Sequence, residues 1–238
     1  MTRLDAGAVA AAGPRWTIVL DAPGAIRVEQ PRAPSMAAPS GICAGSVVTA
    51  RTRGSEWYAG WWSARADSSV TLMVARSVDE GAHWAPALSA DARDAGRRGC
   101  ARPALALAGD SATGFIHLAY FLEPAEGAGV WLTHSMEHGA LWHSPVAIAF
   151  GADPAATSVA AQGDTVAVAY ESPNASEGWI GLALSTSDGH LIDWRIPEVS
   201  GRTVPARDPR VALRGRVVAV AWDTQQGALT MARTGTRR

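Results

Sequence analysis

The sequence contains no lysine, and all 21 of its basic residues are arginine, against 22 acidic residues and a formal net charge of −1. A nearly neutral chain has no overall field that attracts nucleic acid or an anionic membrane surface, so neither partner is expected. Together with the heavy use of alanine, the missing lysine favours codon bias in a GC-rich, bacterial type of genome over a functional cause.

Long apolar runs are also missing, since no run reaches the roughly 18–20 residues that cross a bilayer. Residues 1–13 are alanine-rich but short, and Asp5 interrupts them, so they make a poor secretory signal. Either the protein stays inside the cell, or a signal was removed and Met1 is an introduced start. The compartment is therefore left open, with an extracytoplasmic location as one alternative.

Tryptophan is abundant where other aromatic residues are scarce, with ten Trp against three Phe and three Tyr. Part of this excess belongs to a repeated stretch of the form S-x-D-x-G-x-x-W, which we call the serine–glycine turn. The Ser-to-Ser steps are 58 and 50 residues. The three copies contain, in order, Ser77, Asp79, Gly81 and Trp84; Ser135, Glu137, Gly139 and Trp142; and, more loosely, Ser185, Asp188, Gly189 and Trp194.

The chemistry of these stretches is structural. Serine and aspartate side chains bond nearby backbone N–H groups in tight turns, and glycine takes a positive φ that other residues resist. Tryptophan then opens the next strand with a large surface to bury. Each copy therefore predicts a hairpin turn between two strands.

A period near 50 residues, built from short strands, predicts a β-propeller with one blade per repeat. The three stretches resemble the Asp-box (BNR) repeat of sialidases and many other propellers. This resemblance implies an all-β fold. It says little about activity, because Asp boxes generally lie away from the sialidase active site.

We expect a four-bladed propeller closed by its N-terminal strand. The fourth repeat ends one strand short, and Trp16 opens the one unassigned strand. Trp16–Leu20 is therefore predicted to pair antiparallel with 228–232, with Trp16 buried. If it pairs elsewhere, the four-blade count is wrong, and the alternative is a fragment of a larger propeller that another chain completes. The predicted parts are a flexible arm at 1–13 and one propeller domain at 14–238, with repeats at about 41–97, 98–150, 151–200 and 205–238 plus 15–20.

Aromatic residues recur at one place in the second strand of each repeat, each after Gly or Ala. A broad ring beside a small residue favours packing between neighbouring blades. These residues are Trp61, Tyr120, Tyr170 and Trp222.

Charged residues near the strand ends are the candidate binding site, because propellers bind ligands at the mouth of the central channel. The resemblance to sialidases would imply three arginines on a substrate carboxylate, with a Tyr–Glu nucleophile. Arg102-Pro103 resembles the start of a sialidase inner strand, but no third arginine is found and no catalytic residue is assigned. The candidate channel-mouth residues are Arg102, Asp153, Asp208 and Arg210 near inner strands, and Glu171 and Asp223 after second strands.

Cys43 and Cys100 both lie where inner strands of adjacent repeats begin. They could form a disulfide, bind a metal or remain free thiols. The six histidines show no ligand spacing, and His83, His138 and His190 are interpreted as solvent-facing turn residues. Paired or buried thiols are therefore favoured, and no metal or other cofactor is predicted.

The sequence favours a non-catalytic interaction platform, an accessory or assembly subunit that binds other protein subunits. One alternative is a sialidase-like glycoside hydrolase with a carbohydrate ligand, and another is a small-ligand or metal binder at the channel mouth. Three converging arginines would favour the hydrolase. A flat apolar patch away from the channel would favour the platform.

Overall fold

The computed structural model describes residues 2–5, 17–20, 26–29, 41–174, 178–224 and 229–235, with side chains in 41–174 and 178–224. These residues form strands and turns and contain no helix, so none of them forms a helix able to cross a membrane. The strands are β1 (Thr2–Asp5), β2 (Thr17–Leu20), β3 (Ile26–Glu29), β4 (Val48–Arg51), β5 (Trp57–Ala64), β6 (Val70–Ser77), β7 (Leu88–Asp91), β8 (Ala106–Gly109), β9 (Ile116–Leu122), β10 (Gly129–Ser135), β11 (Val146–Phe150), β12 (Thr157–Gln162), β13 (Thr165–Glu171), β14 (Ile180–Ser185), β15 (Trp194–Ile196), β16 (Ala206–Arg214), β17 (Val217–Thr224) and β18 (Leu229–Gly235).

Four antiparallel sheets of four strands make up most of the described chain. Sheet 1 is β4 to β7, sheet 2 is β8 to β11, and sheet 3 is β12 to β15, each in chain order. Sheet 4 has the order β16-β17-β18-β1, and β2 pairs with β3 in a separate two-stranded sheet. The all-β class follows the prediction. Trp194 opens β15 as expected, whereas Trp84 and Trp142 lie before the strands that they were expected to open, β7 and β11.

The first strands of the sheets lie side by side, β4 next to β8, β8 next to β12, and β12 next to β16. The sheets therefore stand in a row in chain order, in the manner of propeller blades. Strand β2 lies against β16, so the two-stranded sheet takes the next place in that row. Closure of the ring stays a prediction. The four-blade count loses the argument made from the sequence, because β2 pairs with β3 and not with sheet 4.

The predicted closing strand was wrong. Thr17–Leu20 pairs with Ile26–Glu29, not with β18. The intervening Asp21-Ala22-Pro23-Gly24 has residue types typical of a turn, which favours pairing of the two strands that it joins. Sheet 4 gains its fourth strand from β1, within the predicted flexible arm, with Thr2 opposite Arg233. Trp16 lies outside the described residues.

Apolar clusters join each sheet to the next. Between sheets 1 and 2, Trp62 packs edge-on against Tyr120, with ring centroids 5.8 Å apart. Phe121 and Tyr170 share the cluster between sheets 2 and 3, and Trp222 lies in the cluster between sheets 3 and 4. Burying an aromatic ring contributes about 2–3 kcal/mol. The recurring aromatic positions thus serve packing, and Trp61 is buried as well.

The serine–glycine turns repeat one hydrogen bond. The hydroxyl oxygens of Ser77, Ser135 and Ser185 accept from the backbone N–H four residues later, at 2.9, 3.0 and 3.0 Å. All three serines are buried. The donors are glycines with φ of 84°, 79° and 87°, which confirms the expected left-handed conformation; they are Gly81, Gly139 and Gly189.

The third turn departs from the pattern. Ser187 stands where Asp79 stands in the first turn, and its backbone N–H donates to the hydroxyl of Ser185 at 3.2 Å. Asp188 comes one residue later, with a φ of 55°, so it is not the aspartate equivalent that the sequence suggested. Asp193 supports the turn instead, because its carboxylate accepts from the backbone N–H of Thr186 at 2.6 Å.

Replacing Gly81 with valine should lower the free energy of unfolding by more than about 1 kcal/mol, because a β-branched residue is strained at positive φ. Denaturant unfolding of Gly81→Val and of Ala82→Val, at the exposed neighbouring position, provides the measurement and its control. Coinciding curves for Gly81→Val and the wild type would contradict the assignment.

Candidate functional site

Arg102 is buried at the junction of sheets 1 and 2, and its side chain has no exposed surface. Its guanidinium donates to the carboxylate of Asp94 at 3.0 Å and to the carbonyl oxygen of Gly99 at 2.8 Å. The carboxylate of Asp94 also accepts from the backbone N–H of Val70. The structure therefore uses Arg102 to fasten the chain internally, and its guanidinium is not presented to a ligand.

A disulfide reinforces the same junction. Cys43 and Cys100 are joined, with Cα atoms 5.3 Å apart and 57 residues of sequence separation. Of the alternatives left open by the sequence, the structure has the disulfide. A loop of this length corresponds to roughly 4 kcal/mol of stabilisation through restriction of the unfolded chain.

A second group of predicted residues gathers around Arg210. Burial lowers the pKa of its guanidinium, and three carboxylates oppose that shift, those of Asp208, Asp223 and Glu171. Glu171 also accepts from the backbone N–H of Asp208 at 2.9 Å, which ties sheet 3 to sheet 4. Asp153 is exposed and is absent from this group. Of the six candidates, four form one cluster, Arg102 belongs to a buried ion pair with Asp94, and Asp153 lies on the surface.

Two tyrosines are paired with carboxylates, as a sialidase-type nucleophile would require. Tyr120 donates to Asp91 at 2.7 Å, and Tyr58 donates to Glu56 at 2.8 Å. Both tyrosines are completely buried, and burial is the main cause that raises the pKa of both phenols. A phenol with a raised pKa is a poorer source of phenolate, so these pairs are structural.

Three histidines meet where the third serine–glycine turn packs against sheet 2, and the sequence analysis missed this cluster. His134 lies in β10, His143 follows the second turn, and His190 lies in the third. Their ring centroids are 4.3, 4.4 and 4.7 Å apart in the three pairs. His117, opposite His134 across the β9–β10 pair, stacks behind it at 5.7 Å.

The fold brings these rings together through short backbone contacts. The backbone N–H of His143 donates to the carbonyl oxygen of His134 at 3.0 Å. A Cβ on Gly189 would lie 3.6 Å from Nδ1 of both His117 and His134, so the third turn sits directly on sheet 2. His190 is exposed, as expected, but its ring contacts the cluster. His83 and His138 lie outside it and bond Asp79 and Glu56, respectively.

The inner histidines are held neutral. Burial lowers the pKa of His117 to about 4, and burial together with the neighbouring imidazoles lowers the pKa of His134 to about 3. Both ring nitrogens of His117 and Nε2 of His134 are buried without a hydrogen-bond partner. Unpartnered buried polar atoms are uncommon and call for an explanation.

Removing the charge of Arg102 should destabilise the chain by about 3–5 kcal/mol, because Arg102→Met leaves Asp94 buried and unpaired. The double variant Arg102→Met/Asp94→Leu should recover part of this loss, since no lone charge remains. Denaturant unfolding of the wild type and both variants measures the effect. A single variant as stable as the wild type would show that the pair contributes nothing.

Stability should fall as the pH drops below about 6.5. His117 stays neutral in the fold down to a pKa of about 4, whereas the unfolded chain takes up the proton near 6.5. The unfolded state then binds more protons, so this group alone costs about 3 kcal/mol between pH 7.5 and 4. Unfolding free energies measured over this range should change less steeply in His117→Phe. Equal slopes in the two proteins would contradict the assignment.

Comparisons with known proteins identify similar folds but do not identify an activity. No family model and no curated protein matches the chain. A Hadza microbial sialidase is 16% identical, with a TM-score of 0.57 over 79% of this chain and 44% of its own. A protein of unknown function from Dyadobacter fermentans is 13% identical, with a TM-score of 0.57 over 82% of this chain and 66% of its own.

Trypanosoma rangeli sialidase is 12% identical and has a TM-score of 0.52 over 98% of this chain. The match covers 40% of that sialidase and 44% of the Hadza sialidase, so it spans less than half of either one. At these identities the likeness concerns the fold alone. The chain has a sialidase-like, all-β fold.

Proposed function

We propose that this chain is a non-catalytic interaction protein, an accessory or assembly subunit that binds other proteins through its serine–glycine turns. The observation that carries the proposal is a set of exposed apolar side chains on those turns. Of the seven large hydrophobic side chains that are exposed in the described chain, four lie there. They are Val78 in the first turn, Met136 and Leu141 in the second, and Leu191 in the third.

The turns lie on one edge of the sheets. Each follows the third strand of its sheet, which runs antiparallel to the second, so the turns lie opposite the ends where Arg102 and Arg210 are found. Exposed apolar side chains on this edge, away from those arginines, favour a platform over a hydrolase. Arg102 supports the same conclusion, because its guanidinium is committed to Asp94.

Two of these exposed side chains occupy the same position in successive turns, which distinguishes them from apolar residues scattered singly over a surface. Leu141 and Leu191 both come six residues after the turn serine, and each is 64% exposed. The serine–glycine hydrogen bonds hold the turn backbones in one conformation, so a partner would lose little entropy of ordering on contact. Burying such side chains contributes about 25 cal/mol per Å². Exposed apolar side chains on rigid, successive turns are therefore suited to binding the surface of a partner protein.

The test compares two triple variants with serine substitutions. Val78→Ser/Leu141→Ser/Leu191→Ser removes three of the four exposed apolar side chains on the turns, whereas Val47→Ser/Leu88→Ser/Phe150→Ser removes the three that lie elsewhere in the described chain. Each protein is produced with an affinity tag in its natural host, cross-linked and purified, and the bound proteins are quantified by mass spectrometry. The partner recovered with the wild type should fall more than about tenfold with the turn variant, which corresponds to about 1.4 kcal/mol.

The control variant should retain the partner at the wild-type level. Equal retention of that partner by both variants would contradict the proposed surface. Hydrolysis of a fluorogenic sialoside by the purified wild type, lost in Arg210→Ala, would instead support the sialidase-like alternative.

A further inference from the structure

We propose that His134, His143 and His190 form a binding site for a zinc-type divalent transition-metal ion. The site lies between sheet 2 and the third serine–glycine turn, apart from the channel-mouth residues, and its His190 directly precedes the exposed Leu191. The proposal does not rest on the proposed interaction function.

The three imidazoles lie close enough to share one ion once two of the rings rotate. One ring nitrogen from each histidine lies within 4.8 Å of the other two. Zinc–nitrogen bonds of about 2.0–2.1 Å in a tetrahedral site place the nitrogens roughly 3.3 Å apart. His190 is exposed and His143 half-buried, so rotation of these two side chains can close the difference.

An unpartnered buried nitrogen supplies the second observation. His134 is 1% exposed, and its Nε2 is buried without a hydrogen-bond partner. A buried polar atom without a partner is unfavourable, because it has lost its hydrogen bonds to water. Coordination to a metal would satisfy it, and the adjoining imidazoles of His143 and His190 would complete three protein ligands.

The backbone holds the second ligand in place. The hydroxyl of Thr133 donates to the carbonyl oxygen of His143 at 2.7 Å, and the backbone N–H of His143 donates to the carbonyl oxygen of His134 at 3.0 Å. Two hydrogen bonds thus fix the peptide that carries His143 beside β10. The rings of His134 and His143 lie nearly parallel, at an interplanar angle of 8°.

The fold itself does not require histidine at these positions. The preceding junction, where the second turn packs against sheet 1, has the same backbone contacts, and Ala85 donates there to Arg76 as His143 does to His134. In that junction other residue types occupy the corresponding positions, and they line a cavity of about 170 Å³. The residues that correspond in register to His117, His134, His143 and His190 are Tyr58, Arg76, Ala85 and Ala140.

The surroundings favour a cation. Asp188 interacts electrostatically with His190, and Asp110 interacts with His117. Imidazole nitrogens suit zinc, copper and nickel, whereas calcium and magnesium prefer oxygen ligands. Three protein ligands leave one tetrahedral position for water or another small ligand.

The test is metal binding to the full chain after treatment with a chelator. Isothermal titration with Zn²⁺ should show one site per chain in the wild type. His143→Ala and His190→Ala should each weaken Zn²⁺ binding by more than about tenfold. Loss of a residue that only supports a ligand already costs about tenfold, and loss of a ligand itself should cost more. His83→Ala and His138→Ala remove histidines outside the cluster and should bind Zn²⁺ like the wild type.

Thermal unfolding provides a second readout, because an ion that binds the folded state raises Tm by mass action. Saturating Zn²⁺ should raise the Tm of the wild type, His83→Ala and His138→Ala, but not that of His143→Ala or His190→Ala. Absence of one-to-one binding by the wild type would overturn the proposal. So would binding that survives in the double variant His143→Ala/His190→Ala.

Discussion

The hydrogen bond from a glycine N–H to a buried serine hydroxyl is the constraint on which the rest of the structure depends. It fixes where the chain reverses direction in three successive sheets. In the second and third turns the left-handed glycine also lets the turn lie against the sheet before it. A Cβ on Gly139 would meet Tyr58 and Ile116 at 3.5 Å, and one on Gly189 would meet Leu132 at 3.3 Å. The turn therefore ends one hairpin and also spaces neighbouring sheets, so the exposed apolar side chains and the histidine cluster both depend on it.

Much of the fold could be predicted because its pairing is local. In sheets 1 to 3 each strand pairs with the next along the chain, and the turn residues between them have a recognisable chemistry. Strand β1 lacks such a signal, because it pairs with a strand more than 220 residues away and no residue type marks the partner. Trp16 suggested a repeat position, but the turn-forming residues after Leu20 favour the nearby hairpin.

Less of the site could be predicted, since its residues acquire their roles from neighbours distant in sequence. Arg102 has the residue type of a carboxylate binder, but its pairing with Asp94 depends on how the connection between two sheets folds back. The histidines come from a strand, a segment after one turn, and another turn. They have no regular spacing, and only the docking of the third turn on sheet 2 brings them together.

The disulfide has a consequence for the connectivity of the molecule. The segment between Cys43 and Cys100 contains β4 to β7, so all of sheet 1 lies inside one covalent ring. A protease that cuts a single peptide bond in that ring leaves both fragments attached to each other. In a denaturing gel, nicked protein would therefore migrate as one chain until a reductant opens the disulfide. A cut in a sheet that no disulfide encloses would instead leave two separate fragments.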